Sequence, residues 1–310
     1  MGIDLTVDLG KIKLQNPILT ASGTYGYNVD FDDFVDVKNL GSIVTKAITL
    51  NPRLGNEGDR LFETEAGMIN RIGLENVGFK KFIECKKVIL DDKKIPYILN
   101  IAGNSFEEYF ELAKLCEENN IKAIEVNVSC PNVKSGCLEF GTNPETLLEL
   151  TKGIRKNYNG FLIIKLTPNT SDIESLALSA QNGGADCISA INTVKGLGVR
   201  LDFINGKFKK TMVQGGLSGK CIKPIALSMI KRIKEVVSIP IIGIGGVSNF
   251  KDLLEFFAVG ASCVQIGTEN FTNPDVTETI LKDLKEFMKN NNFKTLEELK
   301  GELRWTKKNQ

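Results

Sequence analysis

Residues 240–268 read PIIGIGGVSNFKDLLEFFAVGASCVQIGT. Two short apolar runs, 241–244 and 263–266, flank a stretch whose apolar residues recur at helical spacing: Phe250, Leu253, Leu254 and Phe257. Neither run alternates with polar residues, which is how strands buried on both faces read. Strand, helix and strand at this spacing predict one unit of a parallel sheet with a helix packed across it.

Working outward, the same unit recurs along the chain. Apolar runs at 18–22, 42–46, 97–102, 123–128, 162–166 and 187–191 precede the two just described. Helical patterns occupy 79–90, 106–118, 144–156, 172–181, 224–237, 250–258 and 274–289. Strands and helices alternating in this way predict a (β/α)8 TIM barrel, a fold that suits this length. Residues 3–15, IDLTVDLGKIKLQ, predict a β-hairpin turning near Gly10 at the bottom of the barrel. Two long connections, 47–75 and 193–219, predict loops over the mouth. A doubly wound open sheet is the rival, but its G-x-G-x-x-G after the first strand is absent. With no linker or low-complexity segment, residues 1–310 are expected to form a single domain.

Composition narrows the function. The 310 residues carry a formal charge of +1 and include no histidine. A charge so near zero gives no general attraction to nucleic acid or anionic lipid. No apolar run approaches the ~18 residues of a membrane span, and the N-terminus lacks the layout of a signal peptide. The expectation is a cytoplasmic protein with neither nucleic acid nor membrane as partner. Seven cysteines, odd in number and without C-x-x-C, predict free thiols in a reducing compartment and no metal site. Without histidine, an acid or base working near neutral pH must be some other residue.

A barrel enzyme takes its working groups from the C-terminal ends of its strands. In chain order these ends are ASG with Ser22, TKA with Lys46 and Ala47, NIAGN with Asn100, and NVSCPN with Asn127 and Cys130. Then follow IKLTP with Lys165, INT with Ile191, Asn192 and Thr193, GIGG with Gly245 and Gly246, and IGT with Gly267 and Thr268. Singly, each has a plain explanation. A strand-end lysine is usually the first solvated residue, an asparagine a turn former, a lone cysteine packing. As a set converging on one rim they have none.

GIGGVSN and IGTENFTNP each lead into a helix, which predicts a phosphate cradle. Glycines let backbone N–H groups approach an anion, and a helix N-terminus adds a favourable dipole. Gly245, Gly246, Gly267 and Thr268 fit that role, and GGLSGK at 215–220 adds a third turn. A phosphorylated sugar and a phosphorylated cofactor would use it equally. Asn70, Asn127 and Asn192 each offer a donor and an acceptor, which suits a flat polar ring such as a cyclic imide or pyrimidine.

In ASGTYGY, TKAIT, NRIGLEN, NVSCPNVK, IKLTP, INTVKG, GGLSGKCIKP, PIIGIGGV and VQIGT, in that order, the chain resembles the dihydroorotate dehydrogenases, flavin enzymes of pyrimidine synthesis. The resemblance spans nearly the whole chain. It implies one FMN at the barrel mouth, held by Ser22, Lys46, Ala47, Asn100, Asn127 and Lys165, with Ile191, Gly219, Gly245, Gly246, Gly267 and Thr268 completing the set. It implies dihydroorotate at Lys46, Asn127, Asn192 and Thr193, and along Asn70, Arg71, Ile72, Gly73 and Leu74. Cys130 falls at the position of the base, which takes the C5 proton while the C6 hydride passes to the flavin. A free thiol has a pKa near ~8.5, so a modest shift supplies thiolate at cell pH without any histidine. Residues 132–141 are expected to form a lid over the substrate. Cys137 within it is expected to be an incidental loop thiol.

Cysteine at this position, and a chain that starts directly at the hairpin, resemble the soluble class 1 members rather than the membrane-linked class 2 members with serine. ASGTYGY, INTVKGLGVRLD and GGLSGKCIKP resemble the NAD-linked type, whose partner subunit bears FAD and a [2Fe–2S] cluster. This chain has neither a dinucleotide fingerprint nor a four-cysteine cluster pattern. The implied assembly is a homodimer flanked by two electron-transfer subunits, a heterotetramer. A fumarate-dependent homodimer, a tRNA dihydrouridine synthase and a non-catalytic assembly scaffold are the alternatives.

Overall fold

The apolar runs close on themselves as a parallel barrel. The computed structural model describes residues 2–27, 36–129 and 140–303. Its strands are β1 (Val7–Asp8), β2 (Lys13–Leu14), β3 (Ile18–Thr20), β4 (Ser42–Val44), β5 (Leu61–Thr64), β6 (Gly67–Asn70) and β7 (Tyr97–Ile101). They continue as β8 (Ala123–Asn127), β9 (Phe161–Leu166), β10 (Cys187–Ala190), β11 (Val194–Ile204), β12 (Lys207–Ser218), β13 (Ile241–Ile244) and β14 (Cys263–Ile266). Around the barrel the order is β3, β4, β7, β8, β9, β10, β13, β14, and β14 pairs back to β3. The (β/α)8 expectation holds. Every residue of β9, β10, β13 and β14 is buried, which explains runs that do not alternate.

Helices fill crossovers between the strands, and four of them are capped at the N-terminus by side chains. The Ser105, Asn143, Asp172 and Asn249 side chains accept from the backbone N–H of Glu108, Thr146, Ser175 and Asp252. Each satisfies a donor the helix itself leaves open. The helix expected at 79–90 runs to Asp92, and its middle, Phe82–Lys87, is widened to π pitch. No helix among the described residues is long and apolar enough to cross a membrane.

The β1–β2 hairpin sits at the bottom. Gly10 turns it with φ +93°. Lys11 Nζ lies 3.0 Å from the Asp186 carboxylate and 3.2 Å from the Asn159 carbonyl, both just ahead of barrel strands. Val7, Leu9 and Leu14 are buried against the core.

The two long connections are not loops throughout. They supply a second, antiparallel sheet in the order β11–β12–β6–β5. Its signal lay in the sequence: Leu197, Val199, Leu201 and Phe203 alternate up to Asn205 and Gly206. Both of those turn residues have positive φ, as a tight hairpin turn requires. β12 then pairs with β6 through Gly216↔Asn70, which brings the end of the hairpin to the barrel mouth.

Candidate active site

TIM barrels usually fill their interior with branched apolar side chains. Here a polar layer occupies it. Glu125 on β8 is fully buried. Its carboxylate accepts from Asn100 Nδ2 at 2.7 Å, Ser189 Oγ at 2.8 Å, Gln265 Nε2 at 2.7 Å and Lys165 Nζ at 3.3 Å. The donors stand on β7, β10, β14 and β9, so barrel closure itself assembles the group. Within the same interior, Asn100 Oδ1 and Gln265 Oε1 are buried without a donor among the described residues.

Above this layer lies a cavity of about 390 Å³. Of the expected site residues, Ser22, Asn70, Ile72, Lys165, Ile191, Asn192, Thr193, Gly219, Gly245, Gly246, Gly267 and Thr268 line it. Its glycine turns are bare by necessity. Gly219, Gly245 and Gly246 have φ of +102°, +126° and +80°. A Cβ on Gly219 would sit 2.7 Å from Gly67 Cα, and one on Gly246 only 2.8 Å from Lys223 Cβ. Gly267 differs: a Cβ there would meet Ala21 Cβ at 3.4 Å, an ordinary contact, so its conformation does not demand glycine.

The GIGGVSN turn is clamped from below. Asp252 accepts from Ser248 N and Ser248 Oγ, both at 2.8 Å, and from Lys223 Nζ at 2.6 Å. Burial alone would push the Asp252 carboxyl up. The hydrogen bonds from Lys223 and Ser248 outweigh it and hold the group below the ordinary carboxylate value. Thr268 Oγ1 meets Ser218 Oγ at 2.8 Å, tying the end of β14 to the end of β12.

The amides converge as well. Asn192 Nδ2 donates to Asn127 Oδ1 at 3.1 Å, and Asn127 Oδ1 also accepts from Ser129 N. Asn70 Nδ2 donates to the Gly216 carbonyl at 3.2 Å.

Several expected residues stand off the cavity wall. Lys46 Nζ lies 3.6 Å from the Glu75 carboxylate, which Arg60 also meets at 2.9 Å. Ala47 is buried, and Asn100 lies beneath the cavity in the polar layer. Arg71 is exposed, and its guanidinium reaches the Glu57 carbonyl. Gly73 and Leu74, with φ of +77° and +55°, turn the chain after β6. Cys130, Cys137 and most of the expected lid lie outside the described residues.

Sequence reasoning missed Glu125, Ser189, Gln265, Ser218, Glu75 and Asp252. Glu125 carried a signal, since an acidic residue inside a strand buried on both faces is rare unless paired. Nothing local marked Ser189 or Gln265.

Burial also acts on the thiols packed in the interior. Burial pushes the Cys116 and Cys187 thiols well up, and that of Cys263 up to about 12. These three and the exposed Cys85 and Cys221 are all free.

A closed barrel with a glycine-cradled cavity at the C-terminal ends of its strands defines a TIM-barrel enzyme. The dihydroorotate dehydrogenase family model matches residues 4–288, and the chain belongs to that family of oxidoreductases. A protein of Thermoanaerobacter pseudethanolicus named dihydroorotate dehydrogenase B (NAD(+)), catalytic subunit, is 44% identical over 302 residues, 97% of this chain and 99% of its own. Proteins of the same name from Geotalea daltonii and Carboxydothermus hydrogenoformans are 42% and 43% identical, over 97% and 96% of this chain and 98% and 97% of their own.

Proposed function

We propose that the chain, as one domain, oxidises dihydroorotate to orotate in pyrimidine synthesis with FMN at the barrel mouth. One observation carries the reading: Lys165 lines the same cavity as the bare turns at Gly219, Gly245 and Gly246. Those turns suit the phosphate, since their N–H groups are open to close approach. Asn100 Oδ1 is an unused acceptor of the kind a flavin ring N–H needs. Ser22, Lys46, Ala47, Asn127, Ile191, Gly267 and Thr268 complete the proposed cofactor set. When bound, FMN supplies the acceptor for the substrate hydride.

The chain's own residues bind, orient and deprotonate. Asn70, Asn127, Asn192 and Thr193 hold the substrate ring by its edge, with the turn at Arg71, Ile72, Gly73 and Leu74 beside it. Lys46, loosely held by Glu75, exchanges that partner for the substrate carboxylate. Cys130 Sγ takes the C5 proton.

Electrons then pass to NAD+ through a partner subunit carrying FAD and a [2Fe–2S] cluster, in a cytoplasmic heterotetramer built on a homodimer. The names of the relatives, which print NAD(+) and a catalytic subunit, support the acceptor and a further subunit. One face of β11 and β12 also supports a further subunit, since Leu197, Val199, Leu201, Phe203, Phe208 and Met212 are each more than 50% exposed there. A contiguous apolar face of this kind is usually covered in an assembly.

The test is spectroscopic. Adding dihydroorotate without oxygen bleaches the yellow protein, and Cys130→Ala slows bleaching by about 10²–10⁴-fold. Bleaching by that variant at the wild-type rate and pH profile rejects the base. Full NAD+ reduction by this chain alone rejects the partner.

A further inference from the structure

We infer that Glu125 is a positioning residue. Its carboxylate, inside the barrel, aims the Lys165 ammonium into the cavity and sets how much positive charge a bound flavin meets there. The inference rests on the reading of that cavity as the FMN site.

Stability does not account for the polar layer. Stability alone would be served by branched apolar side chains, since a buried ion pair seldom outperforms a well-packed apolar replacement. Yet four donors from four strands converge on this one carboxylate. A carboxylate so held does not reorient, so the atom it offers Lys165 is fixed in space. Both partners are nearly sealed from solvent, with side-chain exposures of 7% for Lys165 and 0% for Glu125. The lysine is the member of the layer that also reaches the cavity wall.

Charge gives that fixed position its consequence. A cation beside a flavin favours the reduced, anionic ring over the neutral oxidised one. An anion 3.3 Å behind that cation offsets part of its field, and little water intervenes to screen it. The pair, rather than the lysine alone, therefore sets the flavin's reduction potential. Partners behind a first set of ligands commonly tune cofactors in this way.

Glu125→Gln isolates the charge. The amide keeps the shape and one acceptor for Lys165. Its new N–H2 finds acceptors by rotation of Ser189 Oγ–H and reversal of Gln265, whose Oε1 is unused. Ser189→Ala removes a hydrogen bond from the same carboxylate but no charge. Each protein is purified, its FMN affinity measured by flavin fluorescence and the midpoint potential of bound FMN by spectroelectrochemistry. The expected result is a more positive potential in Glu125→Gln and a wild-type potential in Ser189→Ala. An unmoved potential in Glu125→Gln, or an equal shift in Ser189→Ala, overturns the inference. If circular dichroism shows Glu125→Gln unfolded, Glu125→Asp withdraws the carboxylate from Lys165 while keeping its charge. It must then shift the potential in the same direction, and a wild-type value overturns the inference. A wild-type chain that binds no FMN rejects the cofactor site itself, a result distinct from a bound flavin of unchanged potential.

Discussion

Asn192 Nδ2 donates to Asn127 Oδ1 across 3.1 Å, joining the ends of two strands that are 65 residues apart in sequence. That contact sets both amides in one orientation, because Asn127 Oδ1 also accepts from Ser129 N and Asn192 Oδ1 from Thr193 N. The two side chains are therefore held as a fixed donor and acceptor pattern rather than as two free rotors.

Breaking that pattern should impair the reaction more than the fold. Asn192→Ala removes a half-buried side chain that spans no core contact. An expected loss of about 1–3 kcal/mol in transition-state binding corresponds to roughly a 5–150-fold fall in kcat/KM. Steady-state kinetics with dihydroorotate read the loss, and the melting temperature should stay near the wild-type value. A wild-type kcat/KM would remove Asn192 from the substrate site.

The glycine turns separate necessity from habit. Gly246→Ala places a Cβ 2.8 Å from Lys223 Cβ at a φ of +80°, a strain on the order of 1–3 kcal/mol. FMN retention through gel filtration should fall sharply. Gly267→Ala meets only an ordinary contact at 3.4 Å and should keep its flavin. Equal retention by both variants would contradict the cradle.

Acid stability should depend on Asp252. Its carboxyl lies below the ordinary value of about 3.9 in the folded state, so the unfolded chain binds its proton first as pH falls. Its stabilisation is full above that ordinary value and fades as pH drops through the lower, folded one. Asp252→Asn should lower the melting temperature at pH 7, with a loss of about 1–3 kcal/mol, and flatten the decline below pH ~4. Melting curves from pH 7 down to pH ~2 compare the slopes. An unchanged acid limb would show that the clamp contributes nothing.

Thiol reactivity should divide by burial. At pH 8 a thiol with a pKa of about 12 is about 10⁻⁴ ionised, and the thiolate is the nucleophile. Iodoacetamide should therefore label Cys85 and Cys221 while leaving Cys116, Cys187 and Cys263 intact until the protein is unfolded. Peptide mass mapping identifies each site. Labelling of Cys263 in the folded protein would mean that the barrel opens.

Legibility varied with the range of the signal. Gly245 and Gly246 were readable because a strand end followed by a glycine turn is a local pattern, and Lys165 because a lysine stands near the end of an apolar run. The β11–β12 hairpin was equally local in its alternation and its Asn205–Gly206 turn, but its Gly-rich ends read as loop. Nothing local separated Gly267 from Gly246, since only three-dimensional contacts show that a Cβ fits at one and not at the other. Glu125 stood in plain sight as a charge inside an apolar strand, yet its partners did not.

By itself the sequence determined the order of strands and helices, the hairpin beneath them and the polar groups at the strand ends. It could do so because burial on two faces, capping and turn formation are written in neighbouring residues. Tertiary structure alone decided which of those groups meet. Ser189 and Gln265 reach Glu125 across 64 and 140 residues of chain. Ring closure brings them together, and no local pattern of residues encodes how a closed barrel registers its strands.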